Sequence, residues 1–193
     1  MKQKLSKIPI VICCDRLEQQ VDLTTQLAQE FDDIVTCQLS KFEQMLEREP
    51  NANVVVCWKQ ICAEVNLIID LCSRKKRPLV VLVESINSND INRLPEKADY
   101  VLLLKEIPIR LSPWLEHAYQ IRNTLAKLEQ KIETLEIQLQ DRKVIEKAKG
   151  LLMKLHHVDE DAAYKAMRKT AMQSSQSLAQ VARNLLQTLE ALQ

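Results

Sequence analysis

The chain reads as an α/β domain followed by an all-helical segment. Three observations predict this. Short β-branched apolar runs alternate with helical stretches as far as Leu104. Between Trp114 and Leu155 there is neither a proline nor a turn cluster. Within that stretch apolar residues recur at gaps of 4 and 3, from Ile121 to Leu139.

The α/β elements follow in order. Pro9–Cys14 (PIVICC) predicts a buried strand. Leu17–Phe31 predicts a helix, with Leu17, Val21, Leu23, Leu27 and Phe31 at helical spacing. Asp33–Gln38 is a second strand, Phe42–Arg48 a short helix and Asn53–Trp58 a third strand. Glu64–Arg74 is a helix and Pro78–Ser85 a fourth strand. A weaker helix is expected near Asp90–Lys97, then a fifth strand at Tyr100–Leu104. Strands that are apolar throughout, rather than alternating, suit a parallel sheet covered on both faces. Five βα units predict a doubly wound, flavodoxin-like domain over residues 1–112.

Residues 113–141 predict a dimerisation helix. Leu125, Ile132 and Leu139 take the a positions of a heptad, and Ile121, Leu128 and Leu135 the d positions. Lys127, Glu129, Lys131, Glu133 and Asp141 lie between them. The pattern is that of a two-chain coiled coil; a solitary amphipathic helix packed on its own domain has the same spacing. Arg142 occupies the next seam position, where the coil should loosen.

Residues 142–193 predict a small three-helix bundle. The long helix continues through Arg142–His156, Asp159 caps a helix over Glu160–Met172, and Ser177 caps a helix over Leu178–Leu192. Ile145, Ala148, Leu152, Leu155, Ala163, Met167, Ala171, Leu178, Val181 and Leu185 are the expected core. The chain's only glycine, Gly150, lies inside the first of these helices. There it costs about 1 kcal/mol relative to alanine.

Composition narrows the function. A 46% hydrophobic content supports a packed core. The net charge is +1, but residues 1–141 carry 18 Lys/Arg against 21 Asp/Glu, and residues 142–193 carry 9 against 5. A polyanion is therefore expected at the C-terminal part. The six cysteines, Cys13, Cys14, Cys37, Cys57, Cys62 and Cys72, show no C-x-x-C pair and read as buried free thiols of a reducing cytosol. The N-terminus does not read as a signal peptide and no run approaches membrane-spanning length, so a cytoplasmic protein is expected. One glycine cannot build a phosphate-binding loop. No serine or cysteine has a nucleophile's context, and "HHVDED" (His156–Asp161) is explained by a helix end followed by an acidic cap. No enzyme activity, cofactor or metal is expected.

The order of strands and helices resembles the receiver domain of bacterial response regulators. That resemblance places a metal-binding acid after the first strand, a phosphoacceptor aspartate ending the third, a hydroxyl ending the fourth and a lysine ending the fifth. Here those positions hold Asp15 (preceded by Cys14), Trp58, Val83 (with Ser85 close by) and Lys105. An indole is no nucleophile, and phosphorylation needs carboxylate and metal together. The expectation is a pseudo-receiver: the fold retained as an interaction platform, the chemistry lost.

The C-terminal segment resembles the ANTAR RNA-binding domain. The matching residues are Ala148, Lys149, Gly150, Leu152 and Met153; Ala163 and Tyr164; Arg168; Ala171 and Met172; Val181 and Ala182. Met167 stands where leucine is common. The whole arrangement is similar to antiterminators of nitrate and amidase operons. The resemblance implies an RNA-binding homodimer that holds paired leader-mRNA stem-loops against termination, and a partner protein that senses a small molecule. The candidate RNA-binding residues are Arg142, Lys143, Lys147, Lys149, Gly150, Lys154, Tyr164, Arg168, Lys169 and Arg183. Lys143, Lys147, Gly150 and Lys154 share one helical face. Tyr164 either stacks on a base or belongs to the core. Gly150 admits either a packed helix or RNA, with helix packing the plainer reading. A DNA-binding response regulator and a dimeric signalling scaffold remain as alternatives.

Overall fold

The computed structural model describes residues 8–96, 99–105 and 110–190. The chain divides into two compact units, Met1–Lys127 and Leu128–Gln193.

The first unit is a five-stranded parallel sheet in the order β2-β1-β3-β4-β5. The strands are β1 (Ile10–Cys14), β2 (Ile34–Cys37), β3 (Asn53–Trp58), β4 (Leu79–Val83) and β5 (Tyr100–Leu104). The helices are α1 (Leu17–Leu27), α2 (Phe42–Arg48, entered through a 3-10 turn at Leu39–Lys41), α3 (Ala63–Arg74) and α4 (Ser88–Ile91). The next helix, α5, runs unbroken from Ser112 to His156. This strand order is the flavodoxin-like one.

Alternation along each strand divides the core in two. Val11, Cys13, Val54, Val56, Leu79 and Val81 join Phe42, Leu46, Val65 and Ile68 on one face. Ile10, Ile12, Val55, Val80 and Leu82 join Leu23, Leu27, Leu115 and Ala118 on the other. The start of α5 is therefore the last helix of the α/β unit. Arg122 on α5 donates to Asp99 at 3.2 Å, and both side chains are buried. A buried pair of this kind fixes geometry more than it adds stability.

Several expectations are corrected. Leu17 and Val21 do not face the sheet but solvent, at 75% and 57% exposure, while Gln19 is buried. The helix at Asp90–Lys97 is the single turn Ser88–Ile91, held by a capping box in which Asn87 N–H donates to the Asp90 carboxylate at 3.0 Å. Pro95 lacks the N–H that a continuing helix needs; Lys97 lies outside the described residues. All six cysteines are free; Cys14 and Cys62 are half-buried and the others buried.

The second unit holds the rest of α5, α6 (Glu160–Ser174) and α7 (Leu178–Glu190). Ala148, Met167, Ala182 and Leu186 form its buried centre, with Val144, Ile145, Leu151, Leu152, Leu178 and Leu185 packed around them. Ala163, Ala171 and Val181 are also buried, whereas Leu155, expected in the core, is 52% exposed. The Asp159 carboxylate accepts from Ala162 N–H at 2.7 Å, and the Ser177 hydroxyl accepts from Gln180 N–H at 3.1 Å. Both expected caps are made. Among the described residues no helix is long and apolar enough to cross a membrane.

Among the described residues, three that are not glycine, Lys76, His157 and Ser175, adopt positive φ of 57°, 51° and 53°. Each follows a helix end, the position glycine usually fills. At two of them a backbone N–H closes the turn: Arg77 to Cys72 O at 2.8 Å, and Gln176 to Ala171 O at 3.1 Å. The chain thus makes its left-handed helix ends without glycine.

Candidate nucleic-acid interface

The one glycine is spent elsewhere. Gly150 sits inside α5 with no positive φ, and a Cβ built there would meet nothing within 4 Å. Neither backbone conformation nor close packing within the chain calls for it, which removes the helix-packing reading as far as this chain's own helices go. Lys143, Lys147 and Lys154, which share its face, are exposed. The result is a single position without a Cβ, half-buried, among three exposed lysines.

The other candidate residues divide into two sets. Arg142, Arg168 and Lys169 are exposed, and no described carboxylate holds them. Tyr164 is 42% exposed, so it is not part of the buried core. Lys149 and Arg183 are engaged. Lys149 Nζ lies 2.6 Å from Glu146 Oε2 and 2.7 Å from Glu160 Oε1, which raise its pKa. Arg183 is paired with Asp141. Spacing places residues on a face, but whether an opposing carboxylate on another element neutralises a cation depends on packing. That is why Lys149 looks like its neighbours in the sequence. The signal available was Glu160, an acid in the first turn of the next helix.

The seam residues also divide. Leu128, Ile132, Leu135 and Leu139 are 52–56% exposed along α5. Ile121 instead packs half-buried against the α/β core, and Leu125 is half-buried. The 3-4 repeat runs without a break from helix–sheet packing into an open apolar stripe, so spacing alone could not separate the two.

At the carboxyl edge of the sheet, Trp58 is 3% exposed and its indole N–H donates to Glu64 at 2.9 Å. The Asp15 carboxylate accepts from Lys59 N–H at 3.0 Å. Glu84, one residue after Val83, accepts from Gln19 at 2.7 Å and pairs with Arg16. Lys105 N–H donates to Val83 O at 2.8 Å. An indole, an occupied acid and an Arg–Glu pair stand where the receiver resemblance puts a metal and a phosphoacceptor. Burial pushes the Cys14 thiol up to about 12 and the Cys57 thiol up to about 11, so both stay protonated at neutral pH. Among the described residues no group of three His, Cys, Asp or Glu side chains could hold a metal.

The chain thus combines a parallel α/β sheet unit with a helical unit that bears an exposed basic strip. Residues 133–186 match the ANTAR domain family. The match begins within the stretch whose spacing reads as coiled coil.

Among known proteins, the chain is 31% identical over 121 residues to the transcriptional regulatory protein PdtaR of Mycobacterium tuberculosis, covering 62% of this chain and 59% of that one. It is 40% identical over 73 residues to the nitrate regulatory protein of Klebsiella oxytoca, covering 38% and 18%. It is 30% identical over 109 residues to the aliphatic amidase regulator of Pseudomonas aeruginosa, covering 56% of each. The chain thus spans less than two thirds of the length of the curated relatives it matches.

Proposed function

We propose that this protein is an RNA-binding transcription antiterminator rather than an enzyme. It would bind paired stem-loops in leader mRNA and prevent formation of the terminator hairpin. The carrying observation is the strip Lys143–Lys147–Gly150–Lys154 inside an ANTAR domain. Lysines supply phosphate contacts, and the missing Cβ lets a ribose-phosphate backbone reach the helix. Tyr164 is placed to stack on a splayed loop base, while Arg142, Arg168 and Lys169 extend the basic surface. The relatives named for nitrate and amidase regulation support a regulator of a nitrogen-assimilation or amidase operon, acting in the cytoplasm.

The exposed stripe from Leu128 to Leu139 is the proposed dimer seam. Ile132 at an a position flanked by Leu128 and Leu135 at d suits two strands. Lys131 and Glu136 fall at g and the following e, opposite signs that favour a parallel pair. Two ANTAR modules joined in this way would hold two hairpins with a gain in effective concentration. Without a phosphoacceptor, control falls to a small-molecule-sensing protein that docks on the α/β unit or the seam.

Filter binding across a salt series tests the reading. A leader RNA with two stem-loops should bind far more tightly than duplex DNA of the same sequence or an unrelated RNA. Equal binding to duplex DNA would favour a DNA-binding response regulator; no binding to any of them would favour a signalling scaffold. Gly150→Ala should lower RNA affinity while leaving the dimer intact and raising thermal stability, because alanine is the better helix former by about 1 kcal/mol.

A further inference from the structure

We propose that Lys149, though it lies among phosphate-binding candidates, does not touch RNA: it is a positioning residue that sets the angle between α5 and α6. The proposal rests on the RNA-binding reading above for its functional consequence. Its basis is the geometry of one ammonium group. Lys149 is 91% buried as a residue's surface goes, at 9% exposure. Its Nζ reaches Glu146 Oε2 at 2.6 Å on its own helix and Glu160 Oε1 at 2.7 Å in the first turn of α6. Two of its three donors are thus used by carboxylates.

The place of this contact matters. Ile145 and Leu152, one turn to either side of Lys149, pack on the bundle centre. Glu160 leads the α6 stripe that continues through the buried Ala163 and Met167. The Lys149–Glu160 contact therefore closes the core at the end where α5 turns into α6. The turn itself is short: His157 in a left-handed conformation, then Val158, then Asp159 capping α6. A turn with so few residues leaves the departure angle of α6 to side-chain contacts. That angle decides where Tyr164, Arg168 and Lys169 stand relative to the lysine strip on α5.

A phosphate at Lys149 would have to take its one remaining donor beside two carboxylates, or displace one of them. The exposed basic residues Arg142, Lys143, Arg168 and Lys169 offer no such obstacle. Phosphate contact and positioning differ in salt dependence. Losing a phosphate contact lowers the slope of log affinity against log salt by about 0.7 to 0.9, whereas a shifted helix weakens binding with that slope kept.

The test uses a synthetic RNA of two tandem stem-loops and the full chain. Lys149→Gln and Glu160→Gln should each weaken binding by about two- to fivefold, the range of a partly exposed ion pair, with the salt slope of the wild type. Lys149→Arg should restore affinity. The double variant should lose no more than either single one, in binding and in melting temperature. Arg168→Gln is the contrasting variant and should flatten the slope. A flattened slope for Lys149→Gln, or additive losses in the double variant, would overturn the proposal. If wild type does not bind the RNA, the antiterminator reading fails by itself, and the melting-temperature comparison still decides the strut: coupled shifts support it and additive shifts overturn it.

Discussion

Each of the two units is stabilised internally by different means. In the α/β unit, both faces of the sheet are sealed by large side chains such as Ile10, Ile12, Phe42, Leu46 and Ile68, all essentially fully buried. In the helical unit, Met167 is the one large side chain so buried among the described residues; alanines 148, 163, 171, 179 and 182, with Val181 and Leu186, make up the rest of the core. Small residues let helices approach closely but remove little apolar area from water. The helical unit leans on ion pairs, caps and turns instead: Lys149–Glu160, Arg183–Asp141, Asp159 and Ser177. A large core can tolerate a polar or exposed position, as α1 shows with Leu17 and Val21. A small one has few side chains to lose.

The contrast makes predictions of graded size. The largest concerns cavities. Ile68→Ala and Met167→Ala should each cost about 2 to 5 kcal/mol. Calorimetry should then show a destabilised but folded α/β unit in the first variant, and loss of the helical unit's cooperative transition in the second. If both variants keep two transitions, the helical unit is better supported than its core indicates.

Association comes next. Polar substitution of Leu128 and Leu135 together should give monomers in sedimentation, with the helical unit melting earlier. A dimer that persists unchanged would place the interface elsewhere than the exposed stripe.

A smaller effect is expected at the caps. Asp159→Ala should cost about 1 kcal/mol, the usual loss when a side-chain oxygen stops satisfying a free helix N–H. Thermal melts of the helical unit would read it. The smallest change has the opposite sign. Ser175→Gly should stabilise by up to about 1 kcal/mol, since glycine carries no Cβ penalty at positive φ. A destabilised Ser175→Gly would show that its side chain matters more than its backbone.

Lys149 adds a pH limit. Its pKa is raised by Glu146 and Glu160, so its folded-state value lies above the unfolded 10.5. Its contribution is present in full below that value and disappears as pH rises through the higher folded one. No weakening of the strut from lysine deprotonation is expected near neutral pH.

Much of this was legible in the residues. The strands of the sheet were readable because short β-branched runs such as VVVCW and VVLV, alternating with helical stretches, suit a covered parallel sheet. Caps at Asp159 and Ser177 were readable because capping is a local contact three residues long. The faces of α1 and the extent of α4 were not. Leu17 and Val21 have helical spacing but lie largely in solvent, and the turn at Ser88–Ile91 is closed by a capping box and stopped before an approaching proline.

The sequence by itself determined the architecture and the class of domain. Periodicity sets strand and helix, the absence of breakers sets one long α5, and the Ala148–Met153 motif identifies the ANTAR segment. Tertiary structure alone decided three other matters. Among the described residues, Lys149 and Arg183 meet carboxylates while Arg168 and Lys169 do not. The 3-4 stripe of α5 divides between Ile121, which packs on its own sheet, and Leu128 onward, which stays open. Gly150 faces open space. Each depends on what lies opposite a residue across a gap between elements, and spacing along one helix carries no information about the far side of that gap.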